Sequence, residues 1–85
     1  MEGWRDDIDA LEFRPAGQNR LCLVHRLAFR TLIGRPPSKQ DCLTWFAVHR
    51  EEFEAAAKAK MATGVPGNFH LTSRDIAGHI RTISR

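Results

Sequence analysis

The chain has no tyrosine, only two cysteines, and no apolar run longer than Leu21–Val24. Each shortage removes a class of function. The two tryptophans and five phenylalanines fall mostly at core spacing, so no aromatic platform for stacking bases can be built from them. Cys22 and Cys42 are too few for a disulfide framework, which points to reduced, buried thiols and a cytoplasmic protein. An apolar run of four residues excludes a transmembrane helix. The opening Met1-Glu2-Gly3-Trp4-Arg5-Asp6-Asp7 is neither basic nor apolar enough for a secretory signal. No glycine-rich phosphate loop occurs, because Gly64 and Gly67 flank Val65-Pro66 and read as a turn.

Acidic residues are missing from one long stretch. Positions 14–40 carry Arg14, Arg20, Arg26, Arg30, Arg35 and Lys39 with no Asp or Glu, whereas positions 1–12 carry Glu2, Asp6, Asp7, Asp9 and Glu12 against Arg5 alone. The net charge of +3 hides this division. A basic band with Arg20, Arg26, Arg30 and Arg35 on one surface would attract a phosphate backbone, making nucleic acid a candidate partner. The same cations can instead neutralise the acidic arm, residues 1–8, within the fold or across a homodimer.

What is present reads as one domain of 85 residues, 1–85, of the α+β class. Ala10–Arg14 alternates in polarity and predicts a strand with Leu11 and Phe13 on one face. Pro15–Asn19 is a turn by composition, and Arg20–Val24 predicts a second strand, completing a hairpin with a loop of about five residues. His25–Ile33 predicts a short helix ended by Gly34. Asn68–Thr72 predicts a third strand. Ser73 is a candidate cap for a last helix running from Arg74 to about Thr82, with Ile76, Ile80 and Ile83 on one side. The order ββααβ implies a small antiparallel sheet with helices on one face. The other face would be solvated or would meet a partner.

The strongest local signal is a long helix over 38–63. Pro36-Pro37 stops its predecessor, Ser38 and Asp41 form a capping box, and Gly64 and Pro66 end it. Leu43, Phe46, Phe53, Ala57 and Met61 make its apolar stripe, with a seven-residue gap between Phe46 and Phe53. His49 and Arg50 occupy that gap. Arg50 can lay its stem over Phe46 and Phe53 and pair with Glu54 or another acid. Alternatively, Arg50 with His49 can line a small anion site.

Chemistry is sparse. Cys22, His25, Cys42 and His49 are residue types that bind zinc, but their spacing does not suit one ion, so no metal or cofactor is expected. Glu51 and Glu52 are adjacent and diverge on a helix. Neither cysteine has a nucleophile signature around it. These readings favour a non-catalytic protein-binding or regulatory module over an enzyme.

The pieces together resemble a family of small uncharacterised bacterial proteins catalogued as domain of unknown function 1488. The likeness runs from Trp4 to Asp75. It rests on Trp4 with Ala10-Leu11-Glu12-Phe13, on Cys22-Leu23-Val24 leading to Ala28-Phe29 and Leu32, on Phe46, Arg50, Phe53-Glu54 and Ala57, and on Leu71-Thr72-Ser73-Arg74-Asp75. The resemblance implies a compact α+β domain and supplies no catalytic residue or cofactor. His25 stands where family members often place a serine helix cap, and Leu27 where an acid is usual.

Overall fold

The computed structural model describes residues 2–80. The elements in chain order are β1 (Gly3–Arg5), β2 (Ala10–Phe13), β3 (Cys22–His25), α1 (Arg26–Ile33), α2 (Lys39–Val48), α3 (Arg50–Ala62), β4 (Phe69–His70) and α4 (Ser73–Ala77). This is an α+β fold with one four-stranded sheet in the order β1-β2-β3-β4.

The sheet is mixed, not antiparallel throughout. β1, β2 and β3 form an antiparallel meander, and β4 lies parallel to β3. Three helices intervene between β3 and β4, and a helical crossover returns the chain in the direction it left. Asn68 Oδ1 accepts from the Leu21 N–H at 2.9 Å, and the Leu71 N–H donates to the Leu23 carbonyl at 2.9 Å, so β4 is tied at both ends. The hairpin loop between β2 and β3 is longer than expected, covering 14–21, because pairing begins at Phe13↔Cys22.

The register sorts the sheet's two faces. Trp4, Leu11, Phe13, Cys22, Val24 and Phe69 stand on the inner side, and all but Trp4 are fully buried or nearly so. Arg5, Ala10, Glu12, Leu23, His25 and His70 stand on the outer side. Arg5 donates to Glu12 Oε1 at 3.0 Å there, and the His25 and His70 rings stack at 4.9 Å. Residues 3–5 pair in the sheet, so part of the expected acidic arm is an edge strand. Three residues are too few for alternation to reveal.

The long helix is not continuous. Residues 38–63 form two helices that meet at His49, whose φ of −107° and ψ of 26° leave the helical region. Core packing accounts for the break. Side chains seven apart on a straight helix are separated by a rise of about 10.5 Å. Here the Phe46 and Phe53 rings meet at 5.0 Å, and they pack on Phe13 at 5.1 and 6.3 Å. Glu51 and Glu52 then occupy the first turn of α3, where acids suit a helix N-terminus.

The caps are formed as chemistry dictates. Ser38 and Asp41 make a reciprocal capping box at α2, and Gly34 ends α1 at a φ of 91°. The start of α1 has no side-chain cap, since His25 stands at that position. The cap of α4 is Thr72, not Ser73. Its hydroxyl accepts from the Asp75 N–H at 3.1 Å, and Asp75 Oδ2 accepts from the Thr72 N–H at 2.9 Å. α4 itself is short, Ser73–Ala77, and Gly78 follows it. Arg81, Thr82 and Ile83 of the expected last helix lie outside the described residues.

Thr72→Ala is expected to lower stability by about 1 kcal/mol. A urea melt would read it as a lower midpoint at unchanged slope. An unchanged midpoint would mean that α4 stays in place without its cap.

Candidate functional site

Most of the arginines picked out by sequence are committed to contacts within the fold. Arg26 forms a bidentate pair with Asp9 (2.7 Å), donates to the Pro37 carbonyl at 2.8 Å, and lies over the Trp4 ring at 5.2 Å. The guanidinium beside Asp9 holds that carboxyl below its usual value. Arg20 donates to the Val65 carbonyl at 2.6 Å and covers the Phe69 ring. Arg35 pairs with Asp41 at 3.0 Å, and Lys39 with Asp6 at 3.0 Å. Of Arg20, Arg26, Arg30 and Arg35, Arg30 alone is exposed and forms no ion pair among the described residues. Acids of the N-terminal segment therefore neutralise two cations of the basic band, Arg26 and Lys39.

Arg50 is similarly engaged. It donates to Glu2 Oε1 at 2.9 Å, approaches Glu54 Oε2 at 4.0 Å, and lies over the Phe46 ring at 5.2 Å. Its neighbour His49 packs on Trp45, ring centroids 4.1 Å apart, with Nδ1 3.8 Å from Glu52. The small-anion site proposed at these two residues thus has an occupied guanidinium, and neither residue lines the clefts described below.

The cysteines sit in the apolar interior. Burial pushes the Cys22 thiol up to about 12 and the Cys42 thiol up to about 11. Thiols that hold their protons so firmly are poor nucleophiles at neutral pH. Among the described residues, no three His, Cys, Asp or Glu side chains converge in a way that could hold a metal ion.

Open apolar surface lies elsewhere. Helix α1 has two working faces. Arg26, Phe29 and Ile33 turn toward the core, β1 and α2, as the Phe29 contacts with Trp4 and Trp45 show. Leu27, Thr31 and Leu32 turn toward α4. A cleft of about 480 Å³ opens there, lined by Thr31, Leu32, Trp45, Arg74, Ala77 and Ile80. A second cleft of about 290 Å³ lies along the same helices, with Leu27, Ala28, Thr31, Leu71 and Thr72 in its walls. Thr31 and Ser73 line both, so the two clefts adjoin along α1 and α4, and together they are called the groove.

Leu27 is 71% exposed on the rim of this groove. At its other end Ile80 is shared with a third cleft of about 450 Å³, formed with Glu51, Glu52, Ala55, Gly78 and His79. The groove therefore has an apolar floor, Arg74 on one wall, and two carboxylates beyond Ile80.

Sequence reasoning named none of the groove residues as functional. The available signal was Leu27, a leucine that stands off the Phe29, Leu32 and Ile33 spacing of the short helix. Comparison with protein-family models, curated proteins and solved structures found no match. The candidate site therefore rests on the geometry of this chain. Among the described residues, no helix is long and apolar enough to cross a membrane.

Proposed function

We propose that the protein is a non-catalytic, cytoplasmic binding module that docks a segment of another protein in the groove between α1 and α4. One observation carries this reading: two adjoining clefts along α1 and α4 expose apolar side chains, Leu27 in one and Leu32, Trp45, Ala77 and Ile80 in the other. Channels of that kind accept an apolar helical or extended segment. Trp45 is half-buried, and its face toward the groove supplies a broad apolar contact of the type enriched in binding hot spots.

The outer face of the sheet has less to offer a partner. Arg5, Glu12, His25 and His70 make it largely polar, with Leu23 the one large apolar side chain on it. A nucleic-acid reading draws on Arg30 and Arg14, and the engagement of Arg20, Arg26 and Arg35 weakens it.

Site-specific photocrosslinking tests the proposal. A benzophenone side chain at Thr31, inside the groove, should give a discrete protein adduct in the native cell. The same group at Lys58 on α3 should not, and adding Leu27→Glu should abolish the Thr31 adduct. An adduct of the chain with itself would assign the groove to a homodimer. Equal labelling from both positions would refute the docking site.

A further inference from the structure

We propose that His25 and His70 form a two-imidazole site for a divalent first-row transition-metal ion, copper, nickel or zinc, on the outer face of the sheet. The proposal does not depend on the groove or on what docks there. It comes from a contact that the sequence does not announce, because the two histidines lie far apart in the chain and share no spacing motif.

The strands β3 and β4 bring them together. In the parallel register Leu23 pairs with His70, and His25 stands two residues further along β3 on the same face. The rings reach across that diagonal and meet with centroids 4.9 Å apart and planes 13° from parallel. No other two histidine rings meet among the described residues. His70 is exposed and His25 half-buried, so an ion in solution has access to the pair. Neither ring forms a hydrogen bond or ion pair among the described residues, which leaves their nitrogens available. The nearby cations are already engaged. Arg5, in the same cross-strand row as His25, is taken up by Asp7 and Glu12, and Arg26, next along the chain, by Asp9.

The spacing suits one shared ion. Metal–nitrogen bonds of about 2.0–2.1 Å place the centroids of two imidazoles on one ion roughly 4.5–5 Å apart. The observed separation lies in that range. Orientation is what must change. The rings turn about their Cβ–Cγ bonds until one nitrogen of each faces the ion, and that torsion is a soft one for histidine. Water completes the coordination, so the ion is exchangeable and the centre is not a closed structural one. Imidazole nitrogen selects Cu²⁺, Ni²⁺ or Zn²⁺ over Mg²⁺ and Ca²⁺, which take oxygen ligands. The ion joins β3 to β4, a strand of only two residues that leads into the Thr72 cap of α4. An ion held by the folded chain alone stabilises it by mass action.

Titration of the full chain with each ion, followed by calorimetry and by NMR, tests the site. One ion should bind per chain, most tightly for Cu²⁺, with no binding of Mg²⁺. Zn²⁺ should shift the ring C–H resonances of His25 and His70 together and leave those of His49 and His79 in place. The thermal midpoint should rise with Zn²⁺ concentration. His25→Gln and His70→Gln should each weaken binding by about a hundredfold, since the second imidazole no longer adds to the first. His25 precedes α1, so its variant can also disturb that helix. His70 is exposed, and an unchanged midpoint of His70→Gln without metal would show that its fold is intact. Unchanged affinity in His70→Gln, shifts confined to His49 or His79, or no binding at millimolar Zn²⁺ would each overturn the site.

Discussion

Phe53→Ala is expected to remove about 3–5 kcal/mol of stability, enough to leave a domain of this size largely unfolded at room temperature. Phe53 is fully buried, and its ring meets Phe13, Phe29, Trp45 and Phe46 at centroid distances between 5.0 and 6.3 Å. It therefore touches a ring from the sheet, one from α1 and two from α2. Deleting it opens a cavity that four separate rings border, and each is held by its own backbone, so collapse is restricted. Phe53→Leu keeps most of the volume and should cost much less. Calorimetry or a urea melt distinguishes the outcomes. A loss below about 1 kcal/mol for Phe53→Ala would mean that the aromatic cluster is not the centre of the core.

Acid should unfold the protein progressively. Glu2, Asp7, Asp9 and Asp41 are each held below their usual carboxylate values. The first three owe this chiefly to guanidinium partners, Arg50, Arg5 and Arg26, and Asp41 first to the Ser38 backbone N–H. Burial pushes the Asp75 carboxyl up, but the Thr72 N–H, the Lys60 ammonium and the Thr72 hydroxyl outweigh it and hold the group low. A carboxyl that is more acidic in the folded chain stabilises the fold when ionised. That contribution is complete above the unfolded value and is lost as pH falls through the folded value.

Stability should therefore be level from pH 7 to about 5 and decline steadily below about 4. Because most of these pairs are exposed, added salt at neutral pH should change stability little. The Asp9–Arg26 pair joins the β1–β2 turn to the start of α1, so Asp9→Asn should reduce the slope of the acid limb. A stability curve flat down to pH 2 would show that these pairs do not contribute to folding.

The capped ends and the inward residues of β2 and β3 were legible because they rest on local rules. Ser38 with Asp41, Gly34, Gly64, and the alternation of Leu11 with Phe13 all appear where short-range chemistry places them. The break at His49 was visible only as an anomaly in the apolar stripe. What decides it is the meeting of Phe46 and Phe53 over Phe13, a contact between residues far apart in the chain. The parallel pairing of β4 is likewise a consequence of the crossover rather than of Phe69 and His70 themselves.

The charge pattern was legible in outline and misleading in detail. Sequence separated an acidic segment from a basic one, yet it could not show that Asp9 reaches Arg26, Asp6 reaches Lys39, and Glu2 reaches Arg50. Those pairings fasten Arg26, Lys39 and Arg50 within the fold. The groove escaped detection for a related reason. Leu27 lies on α1, Trp45 on α2 and Ile80 beyond the end of α4, and each alone reads as an ordinary core or surface residue.

The most direct test of the docking surface uses the two tryptophans as paired reporters. Trp4 lies under Arg26 against the core side of α1, and Trp45 faces the groove. Titrating the protein with a peptide selected for binding to it, while recording both indole N–H resonances, should move Trp45 and leave Trp4 in place. The amides of Leu27, Thr31 and Ala77 should shift together with Trp45. If the peptide instead perturbs Trp4, Arg5 and Leu23 while Trp45 stays still, binding occurs at the sheet and the groove between α1 and α4 is not the functional site.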